Sequence, residues 1–225
     1  MTDEEFYGPA LCTLKAAEQF LLEVIAEYPA VYGEQGADFP VKSCQSRIKS
    51  AESMRKKLKA RGFMTNLHSA LNDVYDAVGI RIICGFVDDV YKIAAWIEKR
   101  KELEILQRKD YIAWPKPNGY RSYHLCLRLC AGGAAGTLAE IQIRTMAIDF
   151  WATLEHQLKY KQKIPCEELI RKELKRCADE IAATDISMQT IRDMLENGFC
   201  EGLEKDTESR WFCLIFSVSF QLHIL

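Results

Sequence analysis

Apolar residues recur at helical spacing near the start of the chain. Leu11, Leu14, Ala17, Leu21, Val24 and Ile25 share one face, which predicts a helix over residues 9–28 with Pro9 in its first turn. Gly33, Gly36 and Pro40 mark a loop over 33–40. A strand leads into residues 46–50, and a helix over 51–61 stops at Gly62. Residues 78–84 are a β-branched run, and Val87, Val90, Ala94 and Ile97 mark a helix after it. A further strand is predicted over 102–112, ending near Pro115. Residues 122–129 alternate cleanly: Tyr123, Leu125, Leu127 and Leu129 face one way, His124, Cys126 and Arg128 the other. After a glycine-rich hairpin at 131–136, Ala139, Ile141 and Ile143 alternate with Glu140, Gln142 and Arg144. Two long helices follow, over 145–162 and 166–196. The expected fold is α+β (α/β), a mixed five-stranded sheet flanked by helices. The chain divides into 1–44 (helix and loop), 45–162 (the sheet-bearing domain) and 163–225 (a helical extension with an apolar tail).

Composition narrows the classes. A chain of 225 residues suits one domain with helical extensions. The net charge is −2, whereas a general nucleic-acid binder is more basic. No DNA partner is expected, an RNA partner has no support beyond remaining open, and phosphate chemistry must rest on a local basic cluster. The nine cysteines form no CxxC pair and are odd in number, which reads as reduced thiols in a cytoplasmic protein and not as a zinc site. The acidic start, Met1 to Gly8, resembles neither a signal nor a transit peptide. No apolar run reaches the ~18 residues a membrane span needs. Residues 211–225 are strongly apolar, and fit burial against a partner, a membrane-surface segment or a non-native tail.

The candidate chemistry lies in the middle of the chain. The two alternating strands should be neighbours, and their polar faces carry His124, Arg128, Glu140, Gln142 and Arg144. Such a face is either a solvated edge or a polar site. An acid, an amide, an imidazole and guanidinium groups together favour the site. Just before it, Lys116-Pro117-Asn118-Gly119-Tyr120-Arg121-Ser122 is a turn that presents a base-stacking ring among phosphate-binding cations. Arg47 and Lys49, two apart on a strand, should point to one face. The cations Arg55, Lys56, Lys57, Lys59 and Arg61 form a basic helix that can equally be a solvated surface. Asp76, at the entrance of the 78–84 strand, is either a local cap or, if that strand lies beside the one bearing Glu140, half of a Mg²⁺ site.

These segments resemble the synthetase domain of the RelA/SpoT alarmone enzymes. The resemblance rests on Arg47-Ile-Lys49 with Ser53 and Lys57, Asp76-Ala-Val-Gly79-Ile-Arg81, Lys116 through His124, Glu140-Ile-Gln142-Ile-Arg144-Thr145, and Phe150-Trp151 through Glu155-His156. It runs from about residue 45 to about 161, and the short chain resembles the stand-alone small alarmone synthetases. The resemblance implies a Mg²⁺-dependent GTP pyrophosphokinase with a nucleotidyltransferase-like synthetase domain. Such an enzyme moves pyrophosphate from ATP to the ribose 3′-hydroxyl of GDP or GTP in the stringent response. It assigns ATP to Arg47, Lys49, Lys57 and Arg81, with the two arginines on the adenine. It assigns catalysis and Mg²⁺ to Asp76 and Glu140, and stacking on guanine to Tyr120. The acceptor nucleotide is assigned to Lys109, Lys116, Asn118, Arg121, His124, Gln142, Asp149 and Glu155.

Two positions depart from the family. Asp149 stands where relatives often carry Asn, and Ala60 where some carry a cation that Lys59 or Arg61 would replace. No His-Asp pair of the family's hydrolase domain is present, so synthesis without degradation is expected. Another acceptor, an adenosine nucleotide or a tRNA 3′ end, remains the alternative, since Tyr120 stacks on any base. The resemblance also implies a homotetramer. The faces Leu169, Leu174, Ile181 and Ile186, Ile191, Met194, Leu195 of the last helix fit either pairing between subunits or packing within one.

Overall fold

The computed structural model describes residues 1–28, 40–159 and 166–196. In chain order the elements are α1 (Asp3–Tyr7), α2 (Ala10–Ala26), β1 (Val41–Ile48), α3 (Ala51–Ala60), α4 (Leu67–Asn72), β2 (Val78–Cys84), α5 (Val87–Glu98), β3 (Leu103–Asp110), β4 (Tyr123–Leu129), β5 (Leu138–Thr145), α6 (Met146–Lys159) and α7 (Glu167–Glu196). The strands form one mixed sheet in the order β1-β2-β5-β4-β3. Only β2 and β5 run parallel; the other neighbours are antiparallel. The five-stranded expectation holds, and the strand that follows Asp76 does lie beside the one bearing Glu140.

Register explains why the sheet has two different faces. Ile80 lies opposite Ile141, which lies opposite Leu125, so the β-branched and leucine positions of three strands stack on one side. Together with Leu14, Leu21 and Val24 of α2, Met54 and Leu58 of α3, and Val90, Ile93 and Ile97 of α5, they form the core. Burying each such side chain stabilises the fold by ~1.5–3 kcal/mol. The other side collects the polar positions of every strand: Gln45 and Arg47 beside Arg81 and Gly79, then Glu140 and Gln142, then His124 and Cys126, then Lys109 on β3 opposite His124.

Several boundaries differ from the pattern-based expectation. β1 stops at Ile48, because the Ser50 hydroxyl accepts the Ser53 N–H and caps α3. Lys49 nevertheless keeps a ladder bond, its N–H donating to Ala77 O at 2.9 Å. β3 ends at Asp110, whose carboxylate accepts the N–H groups of Ile112 and Ala113 and turns the chain. Two short helices were not expected. In α1, Thr2 and Glu5 form a capping box, and the Tyr7 hydroxyl donates to Lys49 O at 2.7 Å. In α4, Asn66 caps by accepting from Ser69 N–H.

The last helix packs within the chain along one face only, where Ala178, Asp185 and Gln189 are buried. Leu174 and Ile181 pack with Trp151, Ala152 and Ala178, whereas Leu169, Ile186, Ile191 and Leu195 are exposed. So is a stripe of α6, Met146, Phe150, Leu154 and Leu158. The seven cysteines among the described residues form no disulfide. No helix among the described residues is long and apolar enough to cross a membrane. The apolar stretch 211–225 and the loop expected at 33–39 lie outside the described residues.

Candidate active site

One end of the polar face is a pocket lined by Gln45, Ser46, Arg47, Asp76, Gly79, Ile80, Arg81, Glu140 and Gln142. Strand pairing dictates this grouping, since Arg47 pairs with Gly79 and Gly79 with Glu140. A Cβ on Gly79 would meet Arg47 Cγ at 3.8 Å, an ordinary contact, so packing within the chain does not demand glycine there. Arg81 is half-buried, and its Nε lacks a hydrogen-bond partner. A guanidinium that lines a polar pocket with one N–H unpaired is a candidate to hold an acceptor or a stacking ring.

Asp76 is not a helix cap. Its carboxylate holds two ammonium groups, Lys49 Nζ at 2.8 Å and Lys57 Nζ at 2.5 Å, and its side chain is only 13% exposed. Burial alone would raise its pKa; the two lysines outweigh that and lower it. Burial lowers the Lys57 pKa against the opposing pull of Asp76, with Lys49 and Arg61 adding to the depression. Arg61 also depresses Lys116, after burial, Lys109 and the opposing Glu140. Lys59 instead lines a separate surface groove with Arg55, Lys56 and Phe63. Of the two candidates to replace a cation at Ala60, Arg61 is the one whose charge reaches Lys57 and Lys116.

The middle of the face is a directed hydrogen-bond chain. Arg144, 4% exposed, can only donate. It donates to Ser122 Oγ at 3.2 Å, Asp149 Oδ1 at 3.0 Å, Tyr120 Oη at 2.7 Å and Gln142 Oε1 at 2.9 Å. The Tyr120 hydroxyl, having accepted from Arg144, turns its proton to His124 Nε2 at 2.9 Å. That leaves the imidazole proton on Nδ1, 3.4 Å from Glu140 Oε1. Gln142, its oxygen used by Arg144, donates its nitrogen to Glu140 Oε1 at 2.7 Å. Both branches therefore end on Glu140 Oε1 as acceptor, an arrangement that favours the ionised carboxylate. Its pKa agrees: burial raises it, but His124, Gln142 and Lys57 hold it well below the usual carboxylate range. Burial lowers the His124 pKa despite Glu140 beside it, so the ring is neutral near pH 7.

The turn over residues 116–122 lies over this network. Tyr120 is half-buried, edge-on to His124, with Lys116 Nζ 4.7 Å and Arg144 Cζ 5.3 Å from its ring centre. Lys116 sits equally close over Tyr111, 4.5 Å from its ring centre. Lys109 lies opposite His124 on the edge strand. Asn118 and Glu155 do not stand free in the pocket. The Asn118 amide donates to Glu155 Oε1 at 3.1 Å, which ties the turn to α6. Arg121 points away, to α7. Asp149 holds Arg144 and Arg81 at once, the latter at 3.4 Å, so it bridges the two halves of the face. The resemblance-based site set omitted Arg144. Its signal was present: it continues the Glu140, Gln142 alternation.

The sequence of the chain matches the region found in RelA / SpoT proteins over residues 46–165. It is 37% identical over 169 residues to GTP pyrophosphokinase YwaC of Bacillus subtilis, covering 74% of this chain and 79% of that protein. It is 36% identical over 156 residues to GTP pyrophosphokinase YjbM of the same organism, covering 68% and 72%. Its fold superposes on the crystal structure of small alarmone synthetase 1 from Bacillus subtilis bound to its product pppGpp, with a TM-score of 0.73 and 32% identity. That match covers 83% of this chain and 96% of that one. With the matched region covering the sheet, both halves of the polar face and the turn above it, the chain belongs to the RelA/SpoT family and is a homologue of its small alarmone synthetases.

Proposed function

We propose that the protein is a GTP pyrophosphokinase: it transfers the β,γ-pyrophosphoryl group of ATP to the ribose 3′-hydroxyl of GDP or GTP, giving AMP and the guanosine alarmone. The observation that carries this reading is the arrangement on one sheet face. Glu140 stands between a pocket that also holds Arg47, Arg81 and the Asp76 carboxylate, itself paired with Lys49 and Lys57, and a stacking tyrosine with its own cations (Tyr120, Lys116, Lys109). In this reading Arg47 and Arg81 bracket adenine, and Lys49 and Lys57 leave Asp76 for the ATP phosphates. Tyr120 stacks on guanine, with His124, Gln142 and Asp149 around it.

The 3′-oxygen attacks the β-phosphorus. The bond to the α–β bridging oxygen breaks, and AMP leaves with that electron pair. Positioning and cations supply most of such a reaction's catalysis. The 3′-proton needs an ionised acceptor. Asp149 is held by two arginines, and Asp76 lies in the arginine-lined pocket, whereas Glu140 is linked through the neutral His124 to Tyr120 in the acceptor half. Glu140 is therefore the group assigned to receive the proton, late in the step because its basicity is low. Asp76 and Glu140 line one pocket and offer hard carboxylate oxygens, the donor set Mg²⁺ takes alongside substrate phosphates, so they fit as its protein ligands. Mg²⁺ bound there would neutralise phosphate charge.

The reading extends to a cytoplasmic enzyme of the stringent response, without alarmone hydrolysis. It also includes a homotetramer that covers the exposed apolar residues of α6 and α7. The test is a transfer assay with Mg²⁺, labelled ATP and, separately, GDP, GTP, ADP and deacylated tRNA. Label on GDP or GTP with AMP release supports the proposal. Label only on ADP or tRNA keeps the chemistry and overturns the acceptor.

A further inference from the structure

The acceptor turn has a second anchor, outside the sheet. Gly119 has φ +87°, and a Cβ added there would fall 2.6 Å from Ala178 Cβ and 3.4 Å from Lys175 Cα, so the turn backbone rests directly on α7. The Arg121 guanidinium clamps the same contact. Its Nη1 donates to Gly119 O at 3.1 Å and to Ala178 O at 3.3 Å, and its Nη2 to Asp179 Oδ1 at 3.1 Å. Lys175 holds the other carboxylate oxygen of Asp179 at 2.7 Å. One turn earlier, Trp151 Nε1 donates to Leu174 O at 2.8 Å. Tyr120 itself packs against the cluster of Trp151, Ala152 and Ala178, together with Leu174, Cys177 and Ile181.

We propose that residues 174–179 of α7 are a positioning element of the acceptor site, with Arg121 and Asp179 as positioning residues and Ala178 as the spacer that sets the height of the turn. Arg121 spends its outer donors on the turn and on α7, so it acts through Tyr120 and not on an acceptor phosphate. A helix outside the sheet thereby decides where the stacking ring sits over the face. Two carbonyls and a carboxylate at one fork demand a planar, multi-donor cation, which lysine cannot imitate. A small residue at 178 is required because anything larger lifts the turn. Displacing a positioning group by ~1 Å costs as much as ~10²-fold in rate.

This inference rests on the assignment of Tyr120 to the acceptor nucleotide. The experiment measures steady-state transfer with GDP and ATP varied in turn, and GDP binding by calorimetry. The proteins are the wild type and the Ala178→Leu, Arg121→Lys and Asp179→Ala variants, each with a thermal melt. Expected are a rise in the GDP KM of about tenfold or more for Ala178→Leu and Arg121→Lys, and of a few-fold for the half-exposed Asp179→Ala. The ATP KM stays within about twofold. Unchanged GDP KM and affinity in Ala178→Leu and Arg121→Lys overturn the inference, and so does an equal rise in both KM values. If Ala178→Leu fails to fold, Arg121→Lys and Asp179→Ala decide alone. A wild type that neither binds GDP nor transfers to it overturns the acceptor assignment itself, a different failure.

Discussion

Replacing Asp76 by asparagine should weaken the fold and strengthen metal-free nucleotide binding at the same time. In the wild type the carboxylate sits 2.8 Å from Lys49 Nζ and 2.5 Å from Lys57 Nζ, with side-chain exposures of 13%, 12% and 22%. Asparagine leaves two ammonium groups facing each other without the carboxylate that pairs them. Breaking a fully buried pair costs ~3–5 kcal/mol; partial exposure of Lys57 brings the figure to about 2–4 kcal/mol. For a chain of this size that lowers Tm by about 5–15 °C. The two lysines now need a partner, and a triphosphate supplies one without first displacing a carboxylate. ATP with chelator should therefore bind Asp76→Asn about tenfold more tightly than wild type, a gain of ~1.4 kcal/mol. Pyrophosphoryl transfer with Mg²⁺ should fall ~10³-fold or more. Thermal melts, calorimetry in chelator and a transfer assay read all three. A variant with unchanged Tm that binds metal-free ATP no better than wild type would refute the reasoning, because Asp76 would then not be restraining these lysines.

Other outcomes follow from the same geometry. Tyr120→Phe keeps the ring and loses only the hydroxyl link between Arg144 and His124, so the GDP KM at saturating ATP should move a few-fold; Tyr120→Ala loses ~1–3 kcal/mol of stacking and should raise it about 10–100-fold. Asp185 is buried beneath the end of β5, where it accepts the Thr145 hydroxyl. Burial raises its pKa against that hydrogen bond. A raised carboxyl favours folding fully below its unfolded pKa of ~3.9, and that contribution is lost as pH rises through the folded value. Asp185→Asn should thus melt higher than wild type at pH 7, with the gap closing toward pH 4, in melts recorded across that range. A gap that is constant with pH would show that no charge is buried at this position.

The fold was legible where side-chain period carried it. The alternation in 122–129 and 138–144 placed Leu125, Leu127, Ile141 and Ile143 on one face and His124, Glu140 and Gln142 on the other, as observed. Pairing of β2 with β5 is not legible in the sequence, because nothing local in a β-branched run names its neighbour. α1 is too short for periodicity, although its Thr2–Glu5 capping box was readable. Position of the site residues was clearer than their partners. Asp76 reads as a cap or a metal ligand, since both need only a carboxylate at a strand entrance; its pairing with Lys49 and Lys57 shows only in the fold. Arg121 looks like a phosphate ligand in the turn motif; only the docking of α7, a contact across about sixty residues, reveals where its donors go.

The most direct test of the account is the fate of both nucleotides when Glu140 is replaced by alanine. In the wild type, AMP and the 3′-pyrophosphorylated guanosine nucleotide should appear in equal amounts from ATP and GDP. In Glu140→Ala both should vanish together while ATP and GDP still bind, since the groups assigned to hold them, Arg47, Arg81, Tyr120 and Lys116, remain. Sustained equimolar AMP and product formation by Glu140→Ala would contradict the account, because the polar face would then perform the transfer without the group on which its hydrogen bonds converge.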